Sequence, residues 1–223
     1  MQKLKFVDSI VKMPLMLLPV RTVLVQIKEN WVMISPGSKM RYEEIQSLNV
    51  TDIIAPNLFH NAGIKKAKEH FNKAKLWGVR GSSQKESSIK WDATLIKDVW
   101  PYSEDLVPVF IAGMEKVNEV VFYHPLSKSL IVTDLCFNLT KASGFGAWFI
   151  LSLFGTYKKF GVSKFFIRAI RDRGSFETSM NAVMALDFEN IIVSHGENLI
   201  GHGKAALRQA LAERGLYCAP GQK

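Results

Sequence analysis

Three short apolar segments of this 223-residue chain are each followed by a side chain that can bind a metal ion. The three pairs of segment and side chain are 51–55 with His60, 129–133 with Asp134, and 190–194 with His195. Short β-branched segments are typical of buried strands, and ligand sites in open α/β sheets collect beyond the carboxyl ends of strands. Two imidazoles and a carboxylate suit Zn²⁺, Fe²⁺ or Mn²⁺ and leave positions for water and substrate. The spacing therefore predicts a shared site for a divalent ion.

Each of these residues also has an ordinary structural explanation. His60 could precede a helix with its ring bonded to backbone, Asp134 could bond backbone amides at a strand end, and His195 could belong to a turn. Three independent coincidences, each at the end of a predicted strand, would be needed to explain the pattern in this way. We therefore expect the three side chains to meet at one edge of the fold.

The order of predicted elements indicates two β-rich layers covered on the outside by helices. In the first half we predict a hairpin of residues 23–27 and 31–34, a polar helix from Arg41 to Leu48, and a helix after His60 that Asn61 caps. In the second half we predict a hairpin of residues 119–123 and 129–134, a strand over 191–193, and helices over 144–154, 176–186 (capped by Ser175) and 204–213. Residues 78–104 are rich in Ser, Lys and Gly and indicate either a lid that faces the substrate or a structural excursion anchored by Trp91, Trp100 and Tyr102.

Length, composition and charge limit the functional classes. A chain of 223 residues that is 48% hydrophobic can bury a substantial core, and we expect a single domain over residues 1–223. The formal net charge is +9, but the basic residues are dispersed and no nucleic-acid-binding motif accompanies them. Charge alone gives weak, salt-sensitive attraction to polyanions, so we expect no specific nucleic-acid partner.

The cysteines and the apolar stretches bear on location. Cys136 and Cys218 form neither a disulfide framework nor a CxxC motif, so we expect a reducing, cytoplasmic setting with Cys136 as a core residue and not a nucleophile. Two prolines interrupt the apolar amino-terminal stretch, and residues 1–19 are predicted to be a retained segment packed on the domain. Residues 145–154 are too short for a transmembrane span, which needs roughly 20 residues. They indicate a buried helix or, alternatively, an exposed contact with a homodimer partner or a membrane surface.

Three stretches of the sequence resemble successive motifs of the metallo-β-lactamase superfamily. They are Ile53–His60 followed by a helix, Val120–Tyr123 with Leu130–Asp134, and Ile192–Gly196. The combination of Ser35-Pro36, Ala55-Pro56-Asn57, Thr133-Asp134 and His195-Gly196 resembles, more narrowly, a little-characterised bacterial branch of that superfamily. The resemblance implies an α/β fold, an αββα sandwich with its metal site at one edge between the sheets.

The chain departs from the ligand pattern of that superfamily. The HxHxDH signature would fall on Ala55, Asn57, Phe59 and His60, so only its last histidine remains, and the histidine of the third motif would fall near Glu115. Asp134 matches the bridging carboxylate and His195 the last histidine. The resemblance thus implies one divalent ion at His60, Asp134 and His195, with Asp134 as the catalytic group. The residues that could line the site are Asn57, Phe59, Glu115 and His124.

Two classes of function follow. The first is a single-metal hydrolase of an ester, a lactone or a phosphoester, and the retention of three ligands in register favours it. The second is a non-catalytic scaffold that binds a small ligand or a protein partner in the same cleft, and the loss of four expected ligands favours it. The sequence identifies neither the substrate nor the partner.

Overall fold

The computed structural model describes residues 3–140, 144 and 146–216, and their core is two packed β-sheets. The first sheet has six strands in chain order: β1 (Leu4–Lys12), β2 (Leu17–Ile27), β3 (Asn30–Ile34), β4 (Val50–Ala55), β5 (Lys75–Gly78) and β6 (Ala93–Thr94). The second sheet contains β7 (Val107–Phe110), β8 (Val120–His124), β9 (Ser129–Val132) and β12 (Asn190–Val193), in the order β12-β9-β8-β7. A small third sheet pairs β10 (Phe137–Asn138) with β11 (Phe160–Gly161).

Six α-helices lie between or after the strands along the described residues. They are α1 (Ile64–His70), α2 (Ser82–Lys85), α3 (Ala147–Phe154), α4 (Lys164–Arg168), α5 (Arg173–Ala185) and α6 (Gly203–Ala212). Side chains such as Ile54, Phe122 and Ile192 fill the space between the sheets. Ile64 and Ala67 of α1 pack on the outer face of the first sheet, and buried residues of α4, α5 and α6 pack on the second. The predicted α/β architecture with an αββα layer order is therefore confirmed.

Strand direction brings the predicted ligands to one edge of the fold. β9 and β12 are parallel neighbours, with Val132 opposite Val193, so the residues that follow them leave the sheet at the same edge. β4 ends at Ala55, and a hydrogen bond from Val120 N–H to the Pro56 carbonyl joins the segment after β4 to the start of β8. Because β8 runs antiparallel to β9, the start of β8 lies at the edge where β9 ends.

The amino-terminal residues form a β-hairpin within the first sheet. β1 and β2 pair from Leu4 opposite Val25 to Lys12 opposite Leu17. Arg21 N–H donates to the carbonyl of Ser194, and the Arg21 guanidinium bonds the Gly196 carbonyl. Of the segment 1–19, expected to pack on the domain, residues 4–12 form β1 and residues 17–19 begin β2, and Arg21 further along β2 makes the link to the loop after β12.

Several local predictions are corrected. Residues 41–48 form successive turns and not a helix, because Tyr42 and Ile45 are buried anchors. Their carbonyls accept hydrogen bonds from the N–H groups three residues on, those of Ile45 and Leu48. Asn61 does not cap α1, since its side chain donates to the Leu58 carbonyl. α5 begins earlier than predicted because Asp172, and not Ser175, is its N-cap.

The 78–104 segment is tied into the core. Trp100 is buried and its Nε1–H donates to the Leu106 carbonyl, while the Tyr102 hydroxyl donates to Asp52 Oδ2. Both anchors lie in or against the cluster between the sheets, which supports the structural interpretation of this segment. Across the described residues, no helix combines the length and apolar character needed to cross a membrane.

Candidate metal site

Three ligand atoms converge beyond the ends of β4, β9 and β12. His60 Nε2 and His195 Nε2 each lie 3.4 Å from Asp134 Oδ1, and they lie 3.2 Å from one another. The His195 side chain is almost fully buried, while Asp134 is partly open to solvent. The structure therefore places the three sequence-predicted ligands in one compact cluster that is compatible with a metal ion.

The size of this triangle matches a tetrahedral coordination sphere. Zinc binds histidine nitrogen and carboxylate oxygen at about 2.0 to 2.2 Å, so neighbouring ligand atoms in a tetrahedron lie about 3.3 Å apart. The three observed separations, 3.2, 3.4 and 3.4 Å, are close to that value. A fourth tetrahedral position remains for water or substrate.

Hydrogen bonds on the far side of each imidazole orient the two rings. His195 Nδ1 lies 2.9 Å from the carbonyl oxygen of Pro19, which can only accept, so Nδ1 carries the proton. In the neutral ring the lone pair is then on Nε2, which points into the cluster. His60 Nδ1 lies 2.5 Å from Ser35 Oγ. Such partners fix the orientation of metal-binding histidines in proteins.

Ser35 is held in an uncommon backbone conformation. Its φ of +55° is in the left-handed region, which a residue with a side chain adopts at a cost of about 1 kcal/mol or more. Ser35 N–H donates to the Ile54 carbonyl, and Thr22 Oγ1 donates to the Ser35 carbonyl. These bonds hold the turn after β3 so that the Ser35 hydroxyl reaches His60.

Asn57 connects the loop that carries His60 to the loop that carries Asp134. Its Oδ1 accepts hydrogen bonds from the N–H groups of Phe59 and His60, and its Nδ2 donates to Thr133 Oγ1 and Asp134 Oδ2. Asp134 Oδ2 is thereby occupied, which leaves Oδ1 facing the two histidines. Asn57 is fully buried and borders none of the cavities that contain Asp134, so its role is to position other residues.

The charge of Asp134 is stabilised within the cluster. Burial alone would raise the pKa of Asp134, but His60 and His195 outweigh it and hold that pKa well below its ordinary range. The carboxylate is therefore ionised at neutral pH, as a metal ligand must be.

Glu119 is a buried carboxylate at the site that the sequence analysis did not identify. Its two oxygens accept hydrogen bonds from the backbone N–H groups of Thr133, Asp134 and Leu135. Burial, together with the negative charge of Asp134, raises the pKa of Glu119 to about 7. Glu119 thus fixes the backbone of the loop that presents Asp134. A glutamate directly before the apolar strand 120–124 was the available signal.

Cys136 lies next to this loop and is fully buried. Burial, reinforced by the nearby Glu119 carboxylate, raises the pKa of the thiol well above its ordinary value. A buried thiol that stays protonated is a poor nucleophile, which agrees with the expected core role. Cys218 lies outside the described residues.

Aromatic side chains flank the cluster. The ring of Phe137 stacks on His195 with 4.8 Å between centroids, and Phe59 is exposed beside His60 with Lys85 Nζ 3.6 Å from its ring centre. Phe59, as predicted, lines cavities that also contain Asp134. Phe137 was not predicted to lie at the site.

Two of the residues expected to line the site do not do so. His124 ends β8 opposite Ser129, at the start of β9, so it lies at the other end of the strand pair from Asp134. There its Nδ1 lies 2.7 Å from Ser127 Oγ. Glu115 is exposed in the turn before β8 and borders none of the cavities that contain Asp134. The glutamate beside the site is Glu119, whose carboxylate accepts from the loop that presents Asp134.

Comparison with known proteins identifies the fold. No protein-family model matches this chain, and no curated protein sequence matches it. Solved structures do match: a metallo-β-lactamase from Pontibacter korlensis is 15% identical, with 94% of each chain covered and a TM-score of 0.66. FIM-1 from Pseudomonas aeruginosa, a metallo-β-lactamase in its mono-zinc form, is 13% identical, with 96% of this chain and 97% of that chain covered and a TM-score of 0.67. A metallo-β-lactamase from Erythrobacter litoralis is 12% identical over 92% of this chain and 91% of that chain, with a TM-score of 0.64. The chain is therefore a metallo-β-lactamase-fold protein.

Proposed function

We propose that this protein is a divergent member of the metallo-β-lactamase superfamily that binds one divalent ion and hydrolyses an ester, a lactone or a phosphoester. The ion would be Zn²⁺, Fe²⁺ or Mn²⁺, held by His60, Asp134 and His195. The observation that carries this proposal is the triangle of ligand atoms, whose sides of 3.2 to 3.4 Å match a tetrahedral site.

The hydrogen bonds around the triangle favour a cation at its centre. With His195 Nδ1–H donating to Pro19, the Nε2 lone pair of the neutral ring faces both His60 Nε2 and Asp134 Oδ1. Electron pairs that face one another at this distance repel unless a proton or a metal ion lies between them. A divalent ion can accept an electron pair from all three atoms at once, whereas a single proton can bridge only two of them.

The proposed stoichiometry is one ion per chain. The resemblance implies that Ala55 and Asn57 stand where the superfamily has two of the histidines that build a second metal site. Ala55 has no ligand atom and is fully buried, and Asn57 uses both of its polar side-chain atoms, Oδ1 and Nδ2, in internal hydrogen bonds. FIM-1, of the same fold, has been solved in a mono-zinc form, which supports the view that one ion is a stable state of this architecture.

The proposed reaction is attack by water on an acyl or phosphoryl centre. A bound divalent ion lowers the pKa of water and polarises the substrate oxygen. For an ester, water oxygen bonds to the acyl carbon, the acyl carbon–oxygen bond breaks, and a proton from water passes to the departing alkoxide, giving an acid and an alcohol. Asp134 supplies a fixed negative charge, and Asn57 and Glu119 hold it in place.

Isothermal titration of Zn²⁺ or Mn²⁺ into the metal-free protein tests the metal site. We expect one ion per chain, and we expect His60→Ala and His195→Ala to abolish this binding. His202→Ala is the matched control, because His202 is exposed at the start of α6 and its ring bonds its own loop at the Ile200 carbonyl. If all three variants bound the ion equally well, the proposal of a metal site at His60, Asp134 and His195 would be wrong.

Hydrolysis is tested separately with the loaded protein. Turnover of a p-nitrophenyl ester or phosphate that disappears in His195→Ala but persists in His202→Ala supports the hydrolase. Tight binding of one ion without turnover of any ester, lactone or phosphoester would overturn hydrolysis and favour the scaffold that binds a ligand or protein partner.

A further inference from the structure

An apolar groove of about 250 Å³ opens beside Asp134. Its walls come from the β1–β2 hairpin, from the segment around β10, and from α3 and α4. The apolar residues that define it are Met13, Leu18, Phe137, Leu139, Phe154 and Phe165. Among its described lining residues, Asp134 is the one charged side chain.

This groove adjoins the candidate metal site. Met13, Leu18 and Asp134 also line a second cavity, of about 300 Å³, which contains His60 and His195. A molecule whose polar group lies at the three ligands can therefore extend its remaining part along the groove. The two adjoining cavities offer a polar region at the histidines and an apolar region in the groove.

The walls carry no positive charge. The described residues that line either cavity include no lysine and no arginine, although the chain has a formal net charge of +9. Proteins that bind phosphate groups in a water-excluding site supply arginine, lysine, several backbone N–H groups or metal ions, and here the proposed ion alone would supply positive charge. The chemistry of these walls favours a neutral head group over a phosphoester.

The groove presents apolar surface to solvent and is held in shape by contacts between its walls. Phe165 is 56% exposed and Met13 is 40% exposed. The ring of Phe165 lies 6.1 Å from that of Phe154, and the Gly146 N–H donates to the Leu15 carbonyl, which joins the hairpin tip to the start of α3. Soluble proteins expose contiguous apolar surface mainly where they bind something.

We propose that the groove binds the aliphatic chain of a neutral ester or lactone whose carbonyl lies at His60, Asp134 and His195. This inference rests on the proposed hydrolase function and narrows its substrate class. Binding energy from the chain, remote from the reacting bond, would raise kcat/KM for longer substrates. Each methylene that enters the groove is expected to raise kcat/KM about fourfold, the value that corresponds to burial of one CH₂ group.

The first test is a chain-length series with the zinc-loaded protein. The substrates are p-nitrophenyl acetate, butyrate, hexanoate and octanoate below their micellar concentrations, with p-nitrophenyl phosphate as the anionic comparison. We expect kcat/KM to rise along the ester series until the groove is filled, and the phosphate to be a worse substrate than the octanoate. Turnover that does not change with chain length, or a preference for the phosphate, would overturn the inference and leave the hydrolase intact.

Two substitutions distinguish binding in the groove from adsorption to any exposed apolar surface. Phe165→Asp places a charge in the groove, and Phe149→Asp makes the same change at an equally exposed residue, also 56%, which does not line it. We expect Phe165→Asp to flatten the chain-length series and Phe149→Asp to preserve it. An equal loss of the chain-length dependence in both variants would show that the aliphatic chains adsorb to exposed apolar surface. The proposal that the groove binds them would then be wrong.

A binding measurement keeps the test independent of turnover. Methyl ketones of increasing length cannot be hydrolysed, and calorimetry gives their Kd with wild type and both variants. A roughly fourfold gain in affinity per methylene that is lost only in Phe165→Asp supports the groove even when no ester is turned over, in which case the hydrolase proposal alone fails. No gain with length in wild type overturns the groove.

Discussion

Replacing Asn57 with aspartate tests how the two site loops are held together. The substitution keeps Oδ1, which accepts from the N–H groups of Phe59 and His60, and replaces Nδ2, which donates to Thr133 and Asp134. It therefore removes a hydrogen bond to a charged group, worth about 1.5 to 3 kcal/mol. It also places a second carboxylate at the 2.8 Å position now occupied by the amide nitrogen.

We expect the metal-free Asn57→Asp variant to lose about 3 to 5 kcal/mol of unfolding free energy at pH 7, the range for an uncompensated buried charge. The adjacent Asp134 carboxylate raises the pKa of the introduced carboxyl in the folded state. A raised folded-state pKa means that stability is retained below the unfolded-state pKa, roughly 4, and is lost as pH rises through the folded-state value.

Urea denaturation of wild type and variant at pH 4 and pH 7 measures the effect. The deficit of Asn57→Asp should be small at pH 4 and large at pH 7. Asn57→Ser, which shortens the side chain without adding charge, is the control and should show a deficit with little dependence on pH. A variant as stable as wild type at pH 7 would refute the role assigned to Asn57.

Three further predictions concern the surroundings of the ligands. Ser35→Ala should weaken zinc affinity about 10- to 100-fold by calorimetry, since it removes the partner of His60 Nδ1, and unchanged affinity would dismiss that role. Because the pKa of Glu119 is raised to about 7, ionisation of Glu119 should lower the unfolding free energy of metal-free protein by about 3 kcal/mol between pH 4.5 and 7. That decline should be absent from denaturation curves of Glu119→Gln, and an identical decline in both proteins would contradict the assignment. In a Cys218→Ser background, Cys136 should react with a thiol reagent only after unfolding in guanidinium, and rapid reaction in the native protein would show that the thiol is accessible.

Much of the fold could be predicted because buried strands leave a recognisable pattern of short apolar segments in the sequence. The segments before Asn57, Asp134 and His195 are mostly apolar because both faces of each strand are buried. Since β9 and β12 are parallel neighbours, the residues that follow them leave the sheet at the same edge. Residues 41–48 show the limit of this approach. Their polar composition suits a helix, but burial of Tyr42 and Ile45 against the first sheet selects turns, and that packing depends on residues distant in sequence.

The residues that orient the ligands could not be predicted for a related reason. Pro19 contributes a backbone carbonyl, which any residue type would supply, so no side-chain pattern marks it. Ser35 and Glu119 act through contacts that exist only once the strands are in register. His124 shows a different limit, because it ends β8 at the hairpin turn opposite Ser129 and therefore lies at the far end of the strand pair from Asp134.

X-ray absorption at the zinc edge of the loaded protein tests the central claim most directly. One zinc ion per chain should have two imidazole nitrogen ligands and one or two oxygen ligands at about 2.0 to 2.2 Å, with the imidazole signal reduced in His195→Ala and unchanged in His202→Ala. A spectrum without imidazole ligands, or one that His195→Ala leaves unchanged, would contradict a metal site at His60, Asp134 and His195.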